Sequence, residues 1–280
     1  MTKRKRVLVT GSKGFIGSNL VQRLKHLGYY VQEWTQDVRT INSLSEPNET
    51  VFHLAAITSQ KRFKSEPYRC FDVNVQGTLA VLEYCKSVGS KCVYASTSGV
   101  YAENKSIQVN EENETSPESN YAISKWIGEE LCQIEGDQGN VTSVILRLFN
   151  VYGPRQKQPF IIPYITDSLH NGTNIMIETP NAVRDFVHVS DVVDSFVKAD
   201  NSNPSGCQIY NVGSGIPTTI LDLARLCEKI SGRSGNISTT AQSTTEQSGV
   251  YADTSKAQIN LGWRHKKALA DGLQPLIHRE

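Results

Sequence analysis

Neither sign of charge predominates in this sequence, since 29 Lys and Arg stand against 28 Asp and Glu and leave a formal net charge of +1. Proteins that bind nucleic acid or a membrane surface usually carry an excess of basic residues. We therefore expect neither partner. The one basic run, Lys3-Arg4-Lys5-Arg6, directly precedes an apolar strand at residues 7–9, and we interpret it as a flank that keeps a sheet edge soluble.

The sequence also lacks an apolar run of 18 residues, so we expect no membrane-spanning helix. Too few apolar residues follow the N-terminal charges for a signal peptide. The six cysteines show no C-x-x-C spacing, and most lie in apolar periodic segments. These features predict reduced thiols, no metal site and a cytoplasmic location. The cysteines are Cys70, Cys85, Cys92, Cys132, Cys207 and Cys227.

The 280 residues, 38% of them apolar, are enough to build a substantial core, which excludes a disordered chain and a disulfide-stapled mini-protein. Short apolar runs alternate with longer helical patterns through the first two thirds, as in a parallel sheet covered by helices. Strands are predicted at residues 7–10, 30–34, 50–55, 91–95 and 141–148, and helices at 16–28, 66–88 and 121–133.

A glycine-rich turn, Gly11-Ser12-Lys13-Gly14-Phe15-Ile16-Gly17, connects the first strand to the first helix. The first glycine permits a tight turn, the second a close approach to a pyrophosphate, and the third close packing of helix on strand. A purely structural turn has the same spacing, but the position in a strand-turn-helix unit favours dinucleotide binding. The predicted cofactor-binding residues here are Gly11, Lys13, Gly14, Phe15, Ile16 and Gly17.

Further cofactor contacts are expected at two strand ends. A carboxylate at Asp37, followed by Val38, can meet an adenine amino group after the second strand. The third strand ends in Leu54-Ala55-Ala56, which suits a backbone that lies against the dinucleotide. Thr35 occupies the place of the acid that usually binds the ribose 2′-hydroxyl. Lys13 suits a 2′-phosphate or simply solvent, so these residues leave NAD and NADP both open.

The sequence changes in character beyond about Gly153, where prolines and glycines divide it into short pieces. We therefore predict an α/β fold with a doubly wound, Rossmann-type parallel sheet and a smaller C-terminal α/β substrate lobe. The dinucleotide-binding domain comprises residues 1–152 with part of 183–215, and the substrate-binding lobe comprises 153–182 and 216–280. Residues 231–249, rich in Ser, Thr, Gln and Gly, form either a mobile loop or an exposed edge strand.

Tyr121 and Lys125 lie four residues apart on a predicted helix and so project from one face. An ammonium beside a phenol, together with a positively charged nicotinamide, favours the phenolate and lowers the pKa of the phenol toward the operating pH. Upstream, Thr97 ends a strand within the run Ser96-Thr97-Ser98, where a hydroxyl can bond a substrate oxygen. A hydroxyl-rich turn that only caps the strand has the same composition. Tyr121 and Lys125 favour the catalytic interpretation.

Eight motifs in order resemble the extended short-chain dehydrogenase/reductases, specifically the NAD-dependent epimerase/dehydratase family that acts on nucleotide sugars. They are Gly11-x-x-Gly14-Phe15-Ile16-Gly17, His53-Leu54-Ala55-Ala56, Asn74-Val75-x-Gly77-Thr78, Ala95-Ser96-Thr97-Ser98, Tyr121-x-x-x-Lys125, Arg147-Leu148-Phe149-Asn150-Val151-Tyr152-Gly153-Pro154-Arg155, Arg184-Asp185-Phe186-Val187-His188-Val189 and Tyr210-Asn211-Val212-Gly213-Ser214-Gly215. The segment Tyr251-Ala252-Asp253-Thr254-Ser255-Lys256 continues the similarity, which covers nearly the whole chain.

The resemblance implies a role for individual residues. Tyr121 would be the acid/base, Lys125 would hold the cofactor ribose and tune the phenol, and Thr97 would assist at the sugar hydroxyl. The resemblance also adds Leu148 to the cofactor site, implies substrate contacts for Asn150, Arg155 and Arg184, and favours NAD slightly over NADP. From the residues alone, Arg184 beside Asp185 is equally a structural ion pair, Arg155 is equally a surface residue, and Asn74 is a packing contact.

Small differences within the family indicate the reaction. Its dehydratases resemble one another in placing Asp-Glu or Glu directly after the threonine, and Ser98-Gly99 follow Thr97 here. Reductive epimerases of the fucose-synthase type carry a Cys after the hydroxyl residue and a His after Gly-Pro, where Ser98 and Arg155 stand. The expected activity is therefore epimerisation of a nucleotide-linked sugar, at C4, through a transient keto intermediate. A reductase or dehydrogenase of a keto-sugar, and a catalytically silent dinucleotide-binding protein, are the alternatives.

Two further expectations concern the substrate and the assembly. Where the family carries an Arg-Pro-Gly-Glu or Asp stretch that grips the diphosphate, this sequence has Ser243-Thr244-Thr245-Glu246. Either another residue binds the diphosphate or the substrate is not a standard UDP-sugar. A homodimer through the helices at 66–88 and 121–133 is the family expectation.

Overall fold

The computed structural model describes residues 4–102, 107–233, 237–239 and 248–278. Lys3 of the basic run and the substituted stretch Ser243-Thr244-Thr245-Glu246 lie outside the described residues. The strands are β1 (Arg6–Thr10), β2 (Tyr30–Trp34), β3 (Thr50–His53), β4 (Lys91–Thr97), β5 (Ile107–Val109), β6 (Ser143–Leu148), β7 (Asn150–Tyr152), β8 (Ile175–Ile177), β9 (Val183–His188), β10 (Cys207–Val212), β11 (Pro217–Thr219), β12 (Ile237–Thr239) and β13 (Val250–Ala252). The helices are α1 (Phe15–His26), α2 (Gln60–Ser65), α3 (Pro67–Phe71), α4 (Gly77–Val88), α5 (Asn120–Asp137), α6 (Ile161–Asn171), α7 (Val189–Asn201), α8 (Ile220–Ser231), α9 (Ser255–Leu261) and α10 (Leu269–His278).

The central element is a six-stranded sheet in the order β10-β6-β4-β3-β1-β2. All of its pairings are parallel, which confirms the predicted doubly wound α/β fold. β2 pairs with β1 on one side, and β3, the next strand along the chain, pairs with β1 on its other side. This reversal opens a crevice at the carboxyl ends of β1 and β3, where ligands of doubly wound sheets bind.

The two faces of the sheet bury different sets of side chains because successive residues of a strand point to opposite sides. Val7 and Val9 pack in a cluster with α1 and α7, whereas Leu8 between them packs in a second cluster with α4 and α5. The strands are apolar on both faces, as expected of a sheet covered on both sides.

Most predicted elements are confirmed, and three differ in a way that affects the site. β4 runs two residues further than predicted, to Thr97, while β3 ends two residues earlier, at His53. The single helix predicted at 66–88 consists of α3 and α4 joined by a π-helical turn, Asp72–Gln76. Pro67 begins α3, where its missing N–H costs nothing.

The later part of the chain forms smaller sheets, β11-β9-β7, β12-β8 and β13-β5. A separate apolar cluster joins α6, α8 and α10. Within the stretch predicted as a loop or an edge strand, β12 pairs with β8, so this part is an edge strand. All six cysteines are unpaired, as predicted, and Cys207 is half-buried while the others are buried. No helix among the described residues is both long and apolar enough to cross a bilayer.

Candidate active site

The glycine turn lies against the end of β3. Gly11 has φ of 68°, and a Cβ on it would lie 2.7 Å from the Ala55 nitrogen. A Cβ on Gly17 would lie 2.1 Å from the Gly11 carbonyl oxygen. The positive φ of Gly11 is consistent with the tight turn predicted for the first glycine, and the missing Cβ of Gly17 permits the close packing predicted for the third.

The turn leaves polar groups that a dinucleotide would satisfy. Gly14 precedes α1 and contributes no capping side chain, so the first N–H groups of the helix are free for an anion. The Ser12 hydroxyl is buried and has no hydrogen-bond partner within the described ranges. A side chain at Gly11 or at Gly17 would clash with neighbouring backbone atoms. These residues fit the diphosphate of a dinucleotide, and Lys13 beside them is exposed.

A buried hydrogen-bond chain positions the cofactor contacts expected at residues 54–56. Thr10 Oγ1 accepts from the Leu54 and Ala55 nitrogens at 3.2 and 3.1 Å, and lies 2.8 Å from His53 Nδ1. His53 Nε2 lies 3.1 Å from Thr78 Oγ1. Because the Thr78 hydroxyl donates to the Asn74 carbonyl, it accepts from Nε2–H. Burial, and then the charge of Lys125, lower the pKa of His53 to about 3, so the ring is neutral.

Asp37 and Val38 have other partners in the structure. The Asp37 carboxylate accepts from the main chain and the guanidinium of Arg39, and the side-chain bond lowers the pKa of Asp37 to about 2. The Val38 side chain is buried against Gly77, so only its main chain is available to a ligand. Glu33 near the end of β2 pairs with Lys25 at 2.8 Å.

The helix α5 begins one residue before Tyr121 and carries Tyr121 and Lys125 one turn apart. Ser119 caps it by accepting from the Ala122 nitrogen at 3.1 Å. Lys125 is buried, with its Nζ 3.9 Å above the ring of Tyr94. Burial lowers the pKa of Lys125 to about 7.

Burial raises the pKa of Tyr121 to about 12. The lowering predicted from the sequence depends on an ammonium together with a positively charged nicotinamide. The Lys125 ammonium faces the Tyr94 ring, and at a pKa near 7 it is only partly charged at neutral pH. A lower phenol pKa therefore requires positive charge from a bound ligand.

Thr97 lies at the carboxyl end of β4, paired in register with Leu148 at the end of β6. Its Oγ1 accepts from the Gly99 nitrogen at 3.2 Å and caps a short 3₁₀ turn. The Thr97 oxygen therefore caps the turn, as in the alternative that this segment only caps the strand. The hydroxyl hydrogen of Thr97 is still available to donate to a ligand. Ser98 and Gly99 bring no carboxylate beside it.

Two of the predicted substrate residues, Asn150 and Arg184, belong to the paired strands β7 and β9. Asn150 pairs with Phe186, and Arg184 lies two residues before Phe186, so Asn150 and Arg184 share one face. Asp185 accepts from the main chain of Ser214, Gly215 and Ala252. Arg155 has φ of 72° and donates to Gln22 in α1 at 2.9 Å.

Asn74 fastens two segments of the site together, in agreement with its predicted packing role. It accepts from the Ile57 nitrogen at 2.7 Å and donates to the Ile57 carbonyl at 3.0 Å. It also donates to Ser124 Oγ at 2.9 Å. The chain after β3 is therefore tied to the helix that carries Tyr121. Thr10 and Ser124 were not predicted from the sequence. The only sequence features that point to them are that Thr10 directly precedes the glycine turn and that Ser124 lies within Tyr-x-x-x-Lys.

Comparison with known proteins matches residues 7–213 to the model of the NAD dependent epimerase/dehydratase family. UDP-glucuronic acid decarboxylase 1 of Xenopus tropicalis is 29% identical over 98% of this chain and 72% of its own length. The structure of UDP-glucose 4-epimerase from Thermotoga maritima with UDP-glucose has a TM-score of 0.87 at 29% identity, covering 97% of both chains. That of UDP-glucuronic acid 4-epimerase from Bacillus cereus, with UDP-glucuronic acid and NAD, has a TM-score of 0.85 at 28% identity, covering 96% of both chains.

Proposed function

Because this chain belongs to the NAD-dependent epimerase/dehydratase family, we propose that it epimerises a nucleotide-linked sugar at C4 through a transient keto intermediate. Its relatives and structural neighbours are NAD-dependent UDP-sugar epimerases and decarboxylases, so it is an enzyme of this type. The proposal depends on one observation. Tyr121, Lys125 and Thr97 lie on α5 and at the end of β4, while Ser98 and Gly99 supply no acid after the threonine.

The absence of a carboxylate at that place limits the chemistry. A Cβ on Gly99 would lie 3.5 Å from Thr97 Oγ1 and 3.4 Å from the Ala122 Cβ, so residue 99 directly neighbours the proposed reacting hydroxyl. An acid there would be well placed to remove or deliver a second proton, as elimination requires. With glycine there, oxidation and reduction at one carbon remain.

We assign the cofactor role to NAD, since the Bacillus cereus neighbour contains it, with NADP as the alternative. Gly11, Gly14 and Gly17, the Ser12 hydroxyl and residues 54–56 would hold it. When bound, it accepts a hydride from C4 and gives it back.

The residues of this chain would move the protons. Tyr121 Oη takes the proton of the C4 hydroxyl as the carbon is oxidised and returns it when the opposite face is reduced. Thr97 donates a hydrogen bond to the same sugar oxygen, because its own oxygen is already engaged by the Gly99 N–H. Lys125 in its charged form, together with the positive nicotinamide of the bound cofactor, would favour the phenolate.

We propose that Asn150 and Arg184 bind the sugar diphosphate from their shared face of the β7–β9 sheet. A guanidinium is well suited to a diphosphate. The same proposal divides the chain into a dinucleotide-binding part, 1–152 with part of 183–215, and a substrate-binding part, 153–182 and 216–280. We also propose that the protein is a homodimer.

The test is turnover of UDP-glucose and UDP-glucuronic acid, followed by NMR of the sugar and by absorbance at 340 nm. We expect the 4-epimer without net change in absorbance. Tyr121→Phe should reduce kcat by about 10²–10⁴-fold and leave NAD binding intact. Tyr68→Phe is the matched control, because that ring is 91% exposed. Stoichiometric consumption of NAD(P)H with a keto-sugar would contradict the epimerase and indicate the reductase instead.

A further inference from the structure

A buried ion pair lies behind the proposed catalytic residues, and no step of the proposed reaction uses it. Arg147 in β6 donates to Glu129 in α5 through Nε, 3.1 Å from each carboxylate oxygen, and through Nη2, 2.7 Å from Oε2. The two side chains are 4% and 0% exposed. Removing two charges from water is costly, so a pair this deep needs compensating contacts.

Those contacts connect the pair to the strands that end in the site. Ser96, which directly precedes Thr97, donates to Glu129 Oε1. Arg147, which directly precedes Leu148, donates from Nη1 to the Tyr101 hydroxyl at 2.9 Å. Tyr101 donates in turn to Asn211 in β10 at 2.8 Å. The carboxylate of Glu129 therefore links the helix that carries Tyr121 to the strand that carries Thr97.

Glu129 also lies one helical turn beyond Lys125, on the same face of α5. After Cys132, it is the next group whose charge raises the pKa of Lys125. The other titratable groups near Lys125 are His53 from β3, Cys92 and Tyr94 from β4, and Cys132 and Tyr121 from α5. His53 is neutral, and the pKa values of the two thiols and the two phenols are raised. Among these described neighbours, Glu129 is the carboxylate, and it forms a salt bridge with Arg147.

We propose that Glu129, held by Arg147, is a positioning residue that keeps Lys125 charged and, through Ser96, sets the Thr97 hydroxyl relative to Tyr121. The inference depends on the proposed function, since it takes Tyr121, Lys125 and Thr97 as the acting groups. Arg147 is required because a lone buried carboxylate would take up a proton and lose its effect on Lys125. The Arg147 guanidinium pairs with the Glu129 carboxylate, and the Ser96 hydroxyl donates to it and fixes its orientation.

The first test measures Lys125 itself, without turnover. Protein labelled with ¹³Cε-lysine is titrated by NMR without added NAD, and the Lys125 signal is identified by its loss in Lys125→Arg. Glu129→Gln should lower the titration midpoint of Lys125 by about one pH unit, because an opposite charge has been removed. Glu129→Asp keeps the charge and should restore most of the difference.

Asp200→Asn is the matched control. Asp200 is a fully buried carboxylate that pairs with Lys5 at 2.8 Å, next to the amino ends of β1 and β3. We expect this variant to lose thermal stability and to leave the Lys125 midpoint unchanged. If Glu129→Gln alone does not fold, the double variant Glu129→Gln with Arg147→Met leaves no unpaired charge and should show the same lowered midpoint.

The second test is kinetic. The alkaline limb of kcat/KM in Glu129→Gln should move to lower pH by the same amount as the NMR midpoint. An unchanged midpoint in a folded Glu129→Gln or in the double variant would overturn the inference. The two proposals fail separately: unimpaired turnover by Tyr121→Phe refutes the catalytic assignment, whereas the NMR midpoint reports on Glu129 and Lys125 alone.

Discussion

At Lys125, burial and a neighbouring carboxylate act in opposite directions. Burial lowers its pKa to about 7, while charge interactions with Cys132 and then Glu129 raise it. The Tyr94 ring, 3.9 Å away, stabilises the ammonium by a cation–π contact but does not replace its lost hydration. The folded protein therefore holds a lysine whose charged form is costly, as is common where charge serves chemistry.

This cost makes the stability effect of Lys125 depend on pH. Its folded-state pKa lies below the ordinary 10.5, so between about pH 7 and 10 the unfolded chain binds more protons. The contribution of Lys125 to stability therefore rises with pH through that window and is least favourable below it. Because one pKa unit corresponds to about 1.4 kcal/mol, Lys125→Met should stabilise the protein more at pH 6 than at pH 10, by up to about 4 kcal/mol in the free energy of unfolding.

Thermal denaturation at both pH values checks this expectation. Lys13→Met is the matched control, because Lys13 is an exposed lysine and its removal should change Tm at neither pH. A lower Tm for Lys125→Met at pH 6 would show that the cation–π contact and Glu129 outweigh the burial of the charge.

Among the elements, α5 packs unusually close to β4. A Cβ on Gly128 would lie 2.1 Å from Tyr94 Oη and 2.6 Å from Cζ. Tyr94 Oη in turn donates to the Lys125 carbonyl at 3.3 Å. The glycine is thus required where the helix that carries Tyr121 crosses the aromatic ring that supports Lys125.

Gly128→Ala sets two effects against each other. Alanine favours the helix by about 1 kcal/mol, but the clash with a fully buried ring costs about 1–3 kcal/mol. We expect overpacking to prevail, with a lower Tm and a lower kcat because the Tyr94 ring moves under Lys125. Glu130→Ala on the exposed face of α5 should change neither quantity. An unchanged Tm and kcat in Gly128→Ala would show that the Tyr94 ring moves aside without loss of stability or activity.

The element predictions failed where side chains distant in sequence decide the backbone. Apolar spacing predicts one helix at 66–88, but the chain widens into a π turn at Asp72–Gln76, within which Asn74 bonds to Ile57 and Ser124.

The region between β2 and β3 is short. Among the strands that the structure describes, only β2 lies beyond β1, whereas the dinucleotide-binding order 3-2-1-4-5-6 has two strands there. Thr35 stands at the end of this edge strand.

At the scale of the whole molecule, polar contacts hold helices to the sheet at both ends of its strands. Near the amino ends of the strands, Asp200 at the end of α7 accepts from Lys5, Tyr29 and Thr50. At the carboxyl ends, the Glu129–Arg147 pair lies between α5 and the sheet. The Asp200 contacts have no proposed role in the chemistry, whereas the Glu129–Arg147 pair lies behind the proposed catalytic residues.

The proposed homodimer is a prediction at this scale. Tyr68, which lies within the expected interface segment 66–88, is 91% exposed. Ile134, which directly follows the other expected segment, 121–133, on α5, is 51% exposed. Burying such side chains favours association. Light scattering of the purified protein should give twice the chain mass, and Ile134→Asp should shift it toward the monomer. Glu130→Asp is the control on the same helix. A monomer mass for the unmodified protein would contradict the dimer.

The sequence by itself determined the sheet, the glycine turn and the family, because these depend on short-range patterns. Apolar alternation, glycine spacing and Tyr-x-x-x-Lys each lie within a few residues. β2 accordingly has its predicted bounds, and Gly11 and Gly17 have their predicted roles.

Only the tertiary structure decided which polar groups meet. Ser96, Glu129 and Arg147 belong to three elements and come together because β4 and β6 are adjacent and α5 covers them. The same holds for the direction of the pKa of Tyr121, which is raised because the phenol is buried. Burial and charge pairing depend on strand order and helix packing, and no local pattern in the sequence records either.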